Sequence, residues 1–472
     1  MKKRKTAISL LLTLVITTSM LSGCGNNGED TKTDTSGTNT EDITEEGNST
    51  SDSEKLAYSG ELTLMHFSTS EEASENGSSE GFRTVISDWQ NANSNITLNE
   101  NVLANDDYKT QIATQAAAGD LPDVFLIQGM NTKSWVEQGL VVDMTDIIKE
   151  SPHYDTYNTS YFTPFTNDDK IYGLPALTGS TCTVIVYDKA AWKEAGYDEF
   201  PSTWDDVKKA DEYFKENGYT DTIAFGNGSQ WQINSCFLSV IGNRFTGDDW
   251  FYSIIDKEGA KFTDEEFVSA LTFTKEIFES GIFNDDFNAI GNEDAREYYI
   301  SGEAAAFIGG NWDVSYLQST LQAEDEDLYN NTGFAALPQP EGATGAENTQ
   351  DIGLGYAIAL NSKLLDDPDK LEAAIDLAYY ITGSEYASLV AKSTAVQGLS
   401  VVEEVDLSGF DQFTQDFYTY QYVDTKGCEI YDSYVSAAVW DVLNTDLQSM
   451  LNGDKTPEEV AENTQAAYEK NY

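Results

Sequence analysis

The spacing of apolar residues along the chain predicts a succession of strands and helices. Residues 62–67 form a short apolar run that predicts an opening strand, and the polar stretch 68–80 predicts a loop. Apolar residues then recur at helical spacing over 82–91, and 108–118 predicts a second helix. The apolar run 123–127 predicts another strand. Because strands and helices continue to alternate, we expect an α/β fold with mainly parallel sheets.

Three helix starts carry a capping-box pattern, in which a hydroxyl-bearing residue stands three positions before a carboxylate. Thr203, Thr263 and Thr456 occupy the hydroxyl position. The threonine oxygen of such a box accepts a hydrogen bond from a backbone N–H of the first turn. Pro457 fits the first helical position. A backbone N–H there would have no acceptor within the helix, so the N–H that proline lacks costs no hydrogen bond.

The first two dozen residues predict export. Residues 2–5 are all basic, and residues 7–21 follow as an apolar stretch diluted only by Ser and Thr. About 15 residues rising 1.5 Å each fall short of a bilayer core of about 30 Å. This pattern is typical of a secretory signal peptide, and an uncleaved membrane anchor is the alternative.

The segment Leu21-Ser22-Gly23-Cys24 directly follows that apolar stretch. It resembles the lipobox of bacterial lipoproteins, which implies that Cys24 is acylated and becomes the first residue of the mature chain. Residues 1–23 would then be a lipoprotein signal peptide. The lipid on Cys24 would anchor the protein to the membrane without spanning it.

Residues 24–57 predict a disordered acidic linker. They are almost all Gly, Asn, Ser, Thr, Asp and Glu. Such a segment cannot bury enough apolar surface to offset the entropy lost on ordering. The body that follows, in a chain of 472 residues, exceeds what one hydrophobic core usually supports, so we expect two lobes.

The composition argues against nucleic acid and anionic lipid as partners. The formal net charge is −54, from 81 acidic and 27 basic residues. A strongly acidic surface repels polyanions and favours solubility. A solvated acidic surface needs no bound cation, so the charge alone predicts no metal site.

Cysteine usage is sparse after Cys24. Only Cys182, Cys236 and Cys428 remain, and no two of them have C-x-x-C spacing. The sequence therefore predicts neither a disulfide framework nor a zinc site. We expect buried free thiols, and whether any two of them pair stays open.

A series of short motifs carries a family resemblance. The motifs stand in a fixed order from about residue 60 to the C-terminus, at 115–124, 170–175, 186–190, 195–196, 201–206, 301–308, 310–313, 336–338, 353–360, 371–380 and 453–459. In that order they resemble extracellular solute-binding proteins of the maltose-binding-protein type, the carbohydrate-binding components of bacterial ABC transporters.

The resemblance implies a periplasmic-binding-protein-like fold of two α/β lobes, joined by hinge crossovers, with the ligand in the cleft between them. It assigns the first lobe to residues 58–177 and 356–404, and the second lobe to 178–355 and 405–472. Gly- and Thr-rich segments that can absorb hinge torsions place the crossings near 176–181 and 355–358, with a third near 401–410.

The resemblance also implies which aromatic residues stack on a sugar. Trp312 matches one stacking position of the family, Trp440 lies at the spacing of a second, and Trp231 resembles a third. Core packing is the alternative for each. Gln230 and Asp313, which neighbour two of these tryptophans, are expected to contribute polar ligand contacts.

Polar residues that follow predicted strands complete the expected site. Gln128 and Asn131 follow the strand predicted over 123–127, at the edge where open α/β sheets bind ligands. Ser70 and Glu71 follow the opening strand in the same way, and Tyr356 lies beside the second hinge. A ring of hydroxyls needs such groups to donate and accept hydrogen bonds.

No catalytic or cofactor motif is evident. His66 and His153 are the only histidines and form no spaced set of metal ligands. G-x-S-x-G, P-loop and G-x-G-x-x-G motifs are also missing, so no cofactor is predicted. Two alternatives stay open. One is an exported glycoside hydrolase, because abundant carboxylates make chance pairs common. The other is a non-transporting surface sugar receptor.

The sequence therefore predicts a binding protein and no enzyme. It would capture a sugar or oligosaccharide by hinge closure and deliver it to ABC permease subunits. It would be a monomer, lipid-anchored through Cys24 on the extracytoplasmic face of the cell membrane. The sequence leaves open which sugar is bound, and whether the solute is a sugar or another polar organic molecule.

Overall fold

The computed structural model describes residues 56–75, 77–151, 154–157, 159–176, 180–353, 355–383, 386, 389 and 407–472. These residues belong to one compact unit, Lys55–Tyr472. The predicted signal peptide, Cys24 and nearly all of the predicted linker lie outside the described residues.

The strands of the described residues are short and are numbered in chain order. They are β1 (Glu61–His66), β2 (Thr97–Val102), β3 (Val124–Gln128), β4 (Thr166–Asn167), β5 (Lys170–Ile171), β6 (Leu174–Ala176), β7 (Ser180–Thr181), β8 (Val184–Asp188), β9 (Asp221–Ala224), β10 (Ala304–Gly309), β11 (Thr332–Ala335), β12 (Thr349–Gly353), β13 (Tyr356–Leu360) and β14 (Lys426–Glu429).

The α-helices are numbered in the same way. They are α1 (Ser70–Glu75), α2 (Gly77–Ala92), α3 (Asn105–Ala118), α4 (Gly129–Glu137), α5 (Thr145–Lys149), α6 (Lys189–Glu194), α7 (Trp204–Asn217), α8 (Ser239–Thr246), α9 (Asp248–Ile255), α10 (Glu265–Glu279), α11 (Asn292–Ile300), α12 (Val314–Glu324), α13 (Glu326–Asn331), α14 (Pro368–Thr382), α15 (Gln412–Thr419), α16 (Ala437–Leu451) and α17 (Pro457–Asn471). Short 3₁₀ or π turns lie at Tyr154–Thr156, Thr159–Phe165, Asn234–Leu238, Asn311–Asp313, Ser362–Asp366, Leu407–Gly409, Tyr420–Asp424 and Tyr431–Ser433. None of the helices found in the described part of the chain has the length and apolar character required to cross a membrane.

Two sheets organise separate hydrophobic cores. A five-stranded sheet has the order β2-β1-β3-β13-β6, in which β1 pairs parallel with β2 and β3, and β13 runs antiparallel to β3 and β6. A four-stranded sheet has the order β11-β8-β10-β9. We call the elements packed on the five-stranded sheet the first lobe and those packed on the four-stranded sheet the second lobe.

The chain supplies each lobe from two separate stretches. The core of the first lobe draws its buried apolar residues from 62–176 and 356–386. The cores of the second lobe draw theirs from 182–337 and 413–468. The chain therefore leaves the first lobe, builds most of the second and returns. The predicted two-lobed α/β fold with hinge crossovers is confirmed. The expectation of mainly parallel sheets is wrong, because β13 runs antiparallel to β3 and β6, and β8 runs antiparallel to β10 and β11.

A small three-stranded sheet lies at the crossings between the lobes. Its order is β14-β12-β7, with β12 antiparallel to β7 and parallel to β14. The chain passes from β6 to β7 at the first predicted hinge and from β12 to β13 at the second. The third predicted crossing, 401–410, lies largely outside the described residues.

The predicted loop over 68–80 is wrong, because most of it is helical. Helix α1 occupies Ser70–Glu75, and α2 begins at Gly77. The buried face at the start of α2 consists of small or hydroxyl-bearing residues such as Ser78 and Ser79, so no apolar periodicity marks it. Ser78 shares a hydrogen bond of 2.6 Å with the Tyr386 hydroxyl, a contact that no local pattern reveals.

Two of the three predicted helix caps are confirmed. The Thr203 and Thr456 hydroxyls accept hydrogen bonds from first-turn N–H groups. The prediction at Thr263 is wrong, because Asp264 takes the N-cap position of α10. The Asp264 carboxylate instead accepts from the Lys261 N–H at 2.8 Å and from Trp250 Nε1 at 3.0 Å.

The three cysteines in the described part of the chain, Cys182, Cys236 and Cys428, are buried, and no disulfide joins them. Burial raises the pKa values of the Cys236 and Cys428 thiols well above their ordinary value. Both thiols therefore stay protonated and serve as packing groups.

Candidate ligand-binding cleft

A cleft of about 810 Å³ lies between the two lobes. Its volume falls in the usual range for pockets that hold small organic ligands. The first lobe contributes the β1–α1 turn, the first turn of α3, Gln128 at the end of β3, and Tyr356 at the start of β13. The second lobe contributes the loop around Trp231, the first turns of α11, and Trp312 after β10.

Trp231 and Trp312 form an aromatic wall on the second-lobe side. Their ring centroids are 5.8 Å apart with an interplanar angle of 65°, an edge-to-face arrangement. Both residues are half-buried, so each ring leaves part of its surface in the cleft. The aromatic ring of Tyr316 lines the same side.

Gly310 allows the Trp312 ring to take this position. Its φ of −122° is accessible to any residue, so its role is steric rather than conformational. A Cβ atom at Gly310 would lie 2.3 Å from the Trp312 ring. The Gly310-Asn311-Trp312 sequence therefore lets the indole fold back over the backbone where the chain leaves β10.

Asp313 is buried behind this turn and does not line the cleft. This placement corrects the prediction that Asp313 contacts the ligand. It is 0% exposed. Its carboxylate accepts hydrogen bonds from Asn292 Nδ2 at 2.8 Å and from the Gly310 N–H at 3.1 Å, and Arg296 lies at 3.2 Å. Burial raises the pKa of Asp313 to about 6, although Arg296 opposes that shift.

Arg296 connects Asp313 to the cleft surface. The centre of its guanidinium lies 3.6 Å from the centroid of the Tyr316 ring. The Tyr316 hydroxyl donates to Glu297 at 3.0 Å. Charge and ring stacking thus hold Tyr316 in place beside Trp312, and a fixed ring loses little entropy when a ligand binds.

Lys109 of the first lobe reaches across the cleft. Its ammonium lies 5.3 Å from the centroid of the Trp231 ring and 3.5 Å from the Asp106 carboxylate. Burial lowers the pKa of Lys109, but Tyr356, Asp106 and Asp432 outweigh this effect and leave the pKa above its ordinary value. The side chain therefore stays charged.

Tyr356 fixes the first-lobe wall at the second crossing. Its ring packs against Phe67 at 4.7 Å, and its hydroxyl accepts a hydrogen bond from Asn105 at 3.3 Å. Residue 128 pairs with Tyr356 across β3 and β13, so Gln128 and Tyr356 face the cleft side by side.

Five of the residues predicted to bind ligand line the cleft. They are Trp312, Trp231, Gln128, Tyr356 and Glu71. Their contact with a ligand stays a prediction.

Besides Asp313, three polar residues predicted to bind ligand do not line the cleft. Gln230 has a left-handed backbone with φ of 70°, and its amide donates to Gln448 at 2.7 Å. It therefore shapes the turn before Trp231. Asn131 lies within α4, and Ser70 begins α1, and neither belongs to the cleft lining.

Trp440 is also placed elsewhere, in the core of the second lobe. It is 1% exposed and stacks on Tyr431 at 6.2 Å. Its indole N–H donates to the Tyr434 carbonyl at 2.5 Å. The residue lies on α16 in line with the buried residues Leu443 and Leu447, so its helical spacing indicates packing.

Lining residues that the sequence did not single out come from first turns of helices and from buried polar positions. They include Lys109, Gln232, Arg296, Asn311 and Tyr316. Gln232 and Asn311 directly neighbour the two cleft tryptophans, and this adjacency is the one local signal that could have found them.

Two lobes, two crossings and an aromatic cleft define a solute-binding protein. The described residues contain no group of three His, Cys, Asp or Glu side chains that could hold a metal. Residues 73–387 match the family model described as bacterial extracellular solute-binding protein. The chain belongs to this family, as the sequence motifs predicted.

Two curated relatives show distant sequence similarity. Lipoprotein LipO of Bacillus subtilis is 24% identical over 238 residues, which are 46% of this chain and 45% of the relative. The diacetylchitobiose binding protein DasA of Streptomyces coelicolor is 23% identical over 272 residues, 54% of this chain and 56% of the relative. The chain thus matches about half the length of these relatives.

Solved structures match over nearly their whole length. A chitin oligosaccharide binding protein superposes with a TM-score of 0.75 at 21% identity, covering 88% of this chain and 99% of that one. Maltose-bound MalE3 of T. maritima superposes with a TM-score of 0.68 at 18% identity, covering 87% of this chain and 100% of that one. At such identities the likeness shows the shared fold.

Proposed function

We propose that this protein captures a sugar or oligosaccharide in the cleft and delivers it to an ABC uptake transporter. The observation that carries the proposal is the aromatic wall of Trp231, Trp312 and Tyr316, set opposite the polar groups of the first lobe. A sugar ring has an apolar C–H face and a rim of hydroxyls. Indole rings match the face, and Gln128 and Asn105 offer groups that match the rim.

The comparisons support this proposal. The relatives and the solved structures include proteins named for binding diacetylchitobiose, chitin oligosaccharide and maltose. Their identities are too low to carry a particular sugar over to this chain.

Capture works through closure of the lobes over the ligand. A ligand that touches both Trp312 and Tyr356 gains contacts only when the lobes are close. Such differential affinity is what shifts an open–closed equilibrium. We expect the rotation at the two crossings that the sequence predicts, near 176–181 and 355–358.

The location follows from the N-terminal motif. The lipid on Cys24 anchors the protein to the extracytoplasmic face of the membrane, and the acidic linker separates the monomeric binding body from the lipid surface. The relationship to a lipoprotein of Bacillus subtilis supports this part of the proposal. Permease subunits then receive the solute from the closed form.

Isothermal titration calorimetry with a panel of neutral saccharides tests the proposal. The panel contains maltose, cellobiose, xylobiose and N,N′-diacetylchitobiose, and chromatography of each mixture after long incubation detects any product. We expect stoichiometric binding of at least one saccharide without turnover. Turnover would instead support the glycoside hydrolase, and binding without loss of uptake on gene deletion would support the surface receptor. The absence of any saccharide binding contradicts the proposal.

A further inference from the structure

The charged side chains of the cleft are predominantly acidic. Among the described residues, seven carboxylates line it and only two cations, Lys109 and Arg296. Six of the carboxylates come from three helices, as Glu71 and Glu72 of α1, Asp106 of α3, and Glu293, Asp294 and Glu297 of α11. Asp432 is the seventh.

Both cations are held by contacts within the protein. Arg296 pairs with the buried Asp313 at 3.2 Å and stacks on Tyr316. Lys109 pairs with Asp106 at 3.5 Å and lies against Trp231. Neither charge is therefore free to attract an anion without giving up a partner.

Several of the carboxylates have no such partner. Within the part of the chain that the structure describes, no ion pair joins Glu71, Glu293 or Asp294 to a cation. The cleft therefore keeps an uncompensated negative charge after its internal pairs are formed.

Two helix N-termini open into the cleft and would ordinarily favour an anion. Each N-terminus carries about half a positive elementary charge. Helix α3 has Asp106 and Asp107 in its first turn, and α11 has Glu293 and Asp294 there. The full negative charges of these acids outweigh the half positive charge of each helix N-terminus. The acids therefore stabilise the helices, and a ligand meets a negative electrostatic potential at both N-termini.

A buried side chain of the cleft lining, Gln232, also has an acceptor without a hydrogen-bond partner among the described residues. Gln232 lines the cleft and is 3% exposed. Its Oε1 accepts no hydrogen bond from any described residue. A buried amide oxygen without a partner is costly, so a ligand that donates a hydrogen bond there is favoured over one that presents a further acceptor.

We propose that the cleft selects saccharides that carry a protonated amine over their neutral counterparts, and rejects saccharides that carry a carboxylate. This inference rests on the proposed function and specifies its substrate class. The ammonium group supplies both the positive charge that the carboxylates attract and the donor that Gln232 lacks.

Three β-1,4-linked disaccharides of the same ring configuration test the selection by calorimetry. They are chitobiose with free amines, cellobiose, and cellobiouronic acid, measured in slightly acidic buffer in which the amines are protonated. We expect chitobiose to bind about tenfold more tightly than cellobiose, and cellobiouronic acid about tenfold more weakly. Both ratios should shrink in about 1 M salt, where charges are screened beyond about 3 Å.

Equal affinities, or tighter binding of cellobiouronic acid, would overturn the inference. So would the absence of chitobiose binding when a neutral saccharide of the panel binds, and that result would leave the proposed function standing. The absence of binding by every saccharide would remove both.

Paired variants locate the effect in the cleft. Glu293→Gln combined with Asp294→Asn should lower the preference for chitobiose over cellobiose from about tenfold to about threefold, because it weakens chitobiose binding more than cellobiose binding. Glu266→Gln, a first-turn acid of α10 outside the cleft lining, is the matched control and should leave the preference unchanged. An equal loss in both variants contradicts the inference. Thermal unfolding checks each fold, and Glu71→Gln in α1 replaces the double variant if that one fails to fold.

Discussion

Trp312 and Trp440 both match sugar-stacking positions in the sequence, and the structure gives them opposite surroundings. Trp312 follows β10 on a turn whose glycine leaves room for the indole, and its ring lines the cleft. Trp440 lies on the apolar face of α16 and is 1% exposed, with Tyr431 stacked on it.

The difference shows what places a tryptophan in a cleft. A turn after a strand projects its side chain beyond the sheet edge, where ligands of α/β proteins bind. A position in register with buried helical residues points the same side chain into a core. Four predictions test this contrast, from the largest expected effect to the smallest.

The largest effect is expected from Trp440→Ala. The substitution removes a fully buried indole and leaves the Tyr434 carbonyl without its donor, so the free energy of unfolding should fall by about 3–5 kcal/mol. The Kd for a saccharide should stay the same in the protein that remains folded. Urea unfolding measures the first quantity and calorimetry the second.

Trp440→Phe, which keeps most of the volume, should restore about half of the stability. A large change in Kd with unchanged stability would contradict the assignment of Trp440 to the core.

Trp312→Ala should give the reverse result. Loss of the exposed ring face should raise the Kd about 30-fold, because burying an aromatic side chain against a ligand contributes about 2 kcal/mol. The free energy of unfolding should change by about 1 kcal/mol or less, because the ring is only half-buried. Calorimetry with the tightest saccharide of the panel measures the effect. An unchanged Kd would remove Trp312 from the site.

Gly310→Ala sharpens the comparison without touching the indole itself. The added methyl group would meet the Trp312 ring at 2.3 Å, so the ring must move and the Kd should rise about tenfold. Gly409→Ala is the control, because a Cβ there meets nothing within 4 Å. If both variants bind as the parent does, the glycine has no part in placing Trp312.

The smallest effect concerns Asp313, the carboxylate beneath Trp312. Its folded-state pKa of about 6 lies above the unfolded value of about 3.9, so the folded state binds the proton more tightly. The charged carboxylate therefore destabilises the fold at neutral pH, and this loss disappears as the pH falls through about 6. Relative to Asp313→Asn, the parent protein should gain about 1–2 kcal/mol between about pH 7.5 and pH 5. Urea unfolding at both pH values measures it, and a relative loss on acidification would reverse the assigned sign.

Elements with strong periodicity were predictable from the sequence. The helices around Phe82 and Tyr108 and the strand that ends near Ile127 lie where apolar spacing placed them, within a few residues. Helix α1 was missed because its residues are mostly polar or acidic and none of those described is buried. The start of α2 was missed because small polar residues form its buried face. The periodicity of apolar residues predicts the buried face of an element only where the buried side chains are apolar.

Some residues of the candidate site were likewise predictable from the sequence, and others were not. Trp312 and Tyr356 belong to short motifs of the sequence, and Trp231 was singled out because it resembles a third aromatic position of the family. Lys109 and Arg296 carry no such signature. They enter the cleft because two helices from different lobes begin there. The sequence of either helix does not predict the position of the other.

The sequence by itself determined the family, the two-lobed α/β architecture and the turn that presents Trp312, because these depend on periodicity, motif order and local sterics. Only the tertiary structure decided that Trp440 is core, that Asp313 is buried beneath the wall, and that carboxylates from three helices share one cleft. Burial and charge at a site sum over residues that are distant in sequence, and this sum exists only once the chain has folded.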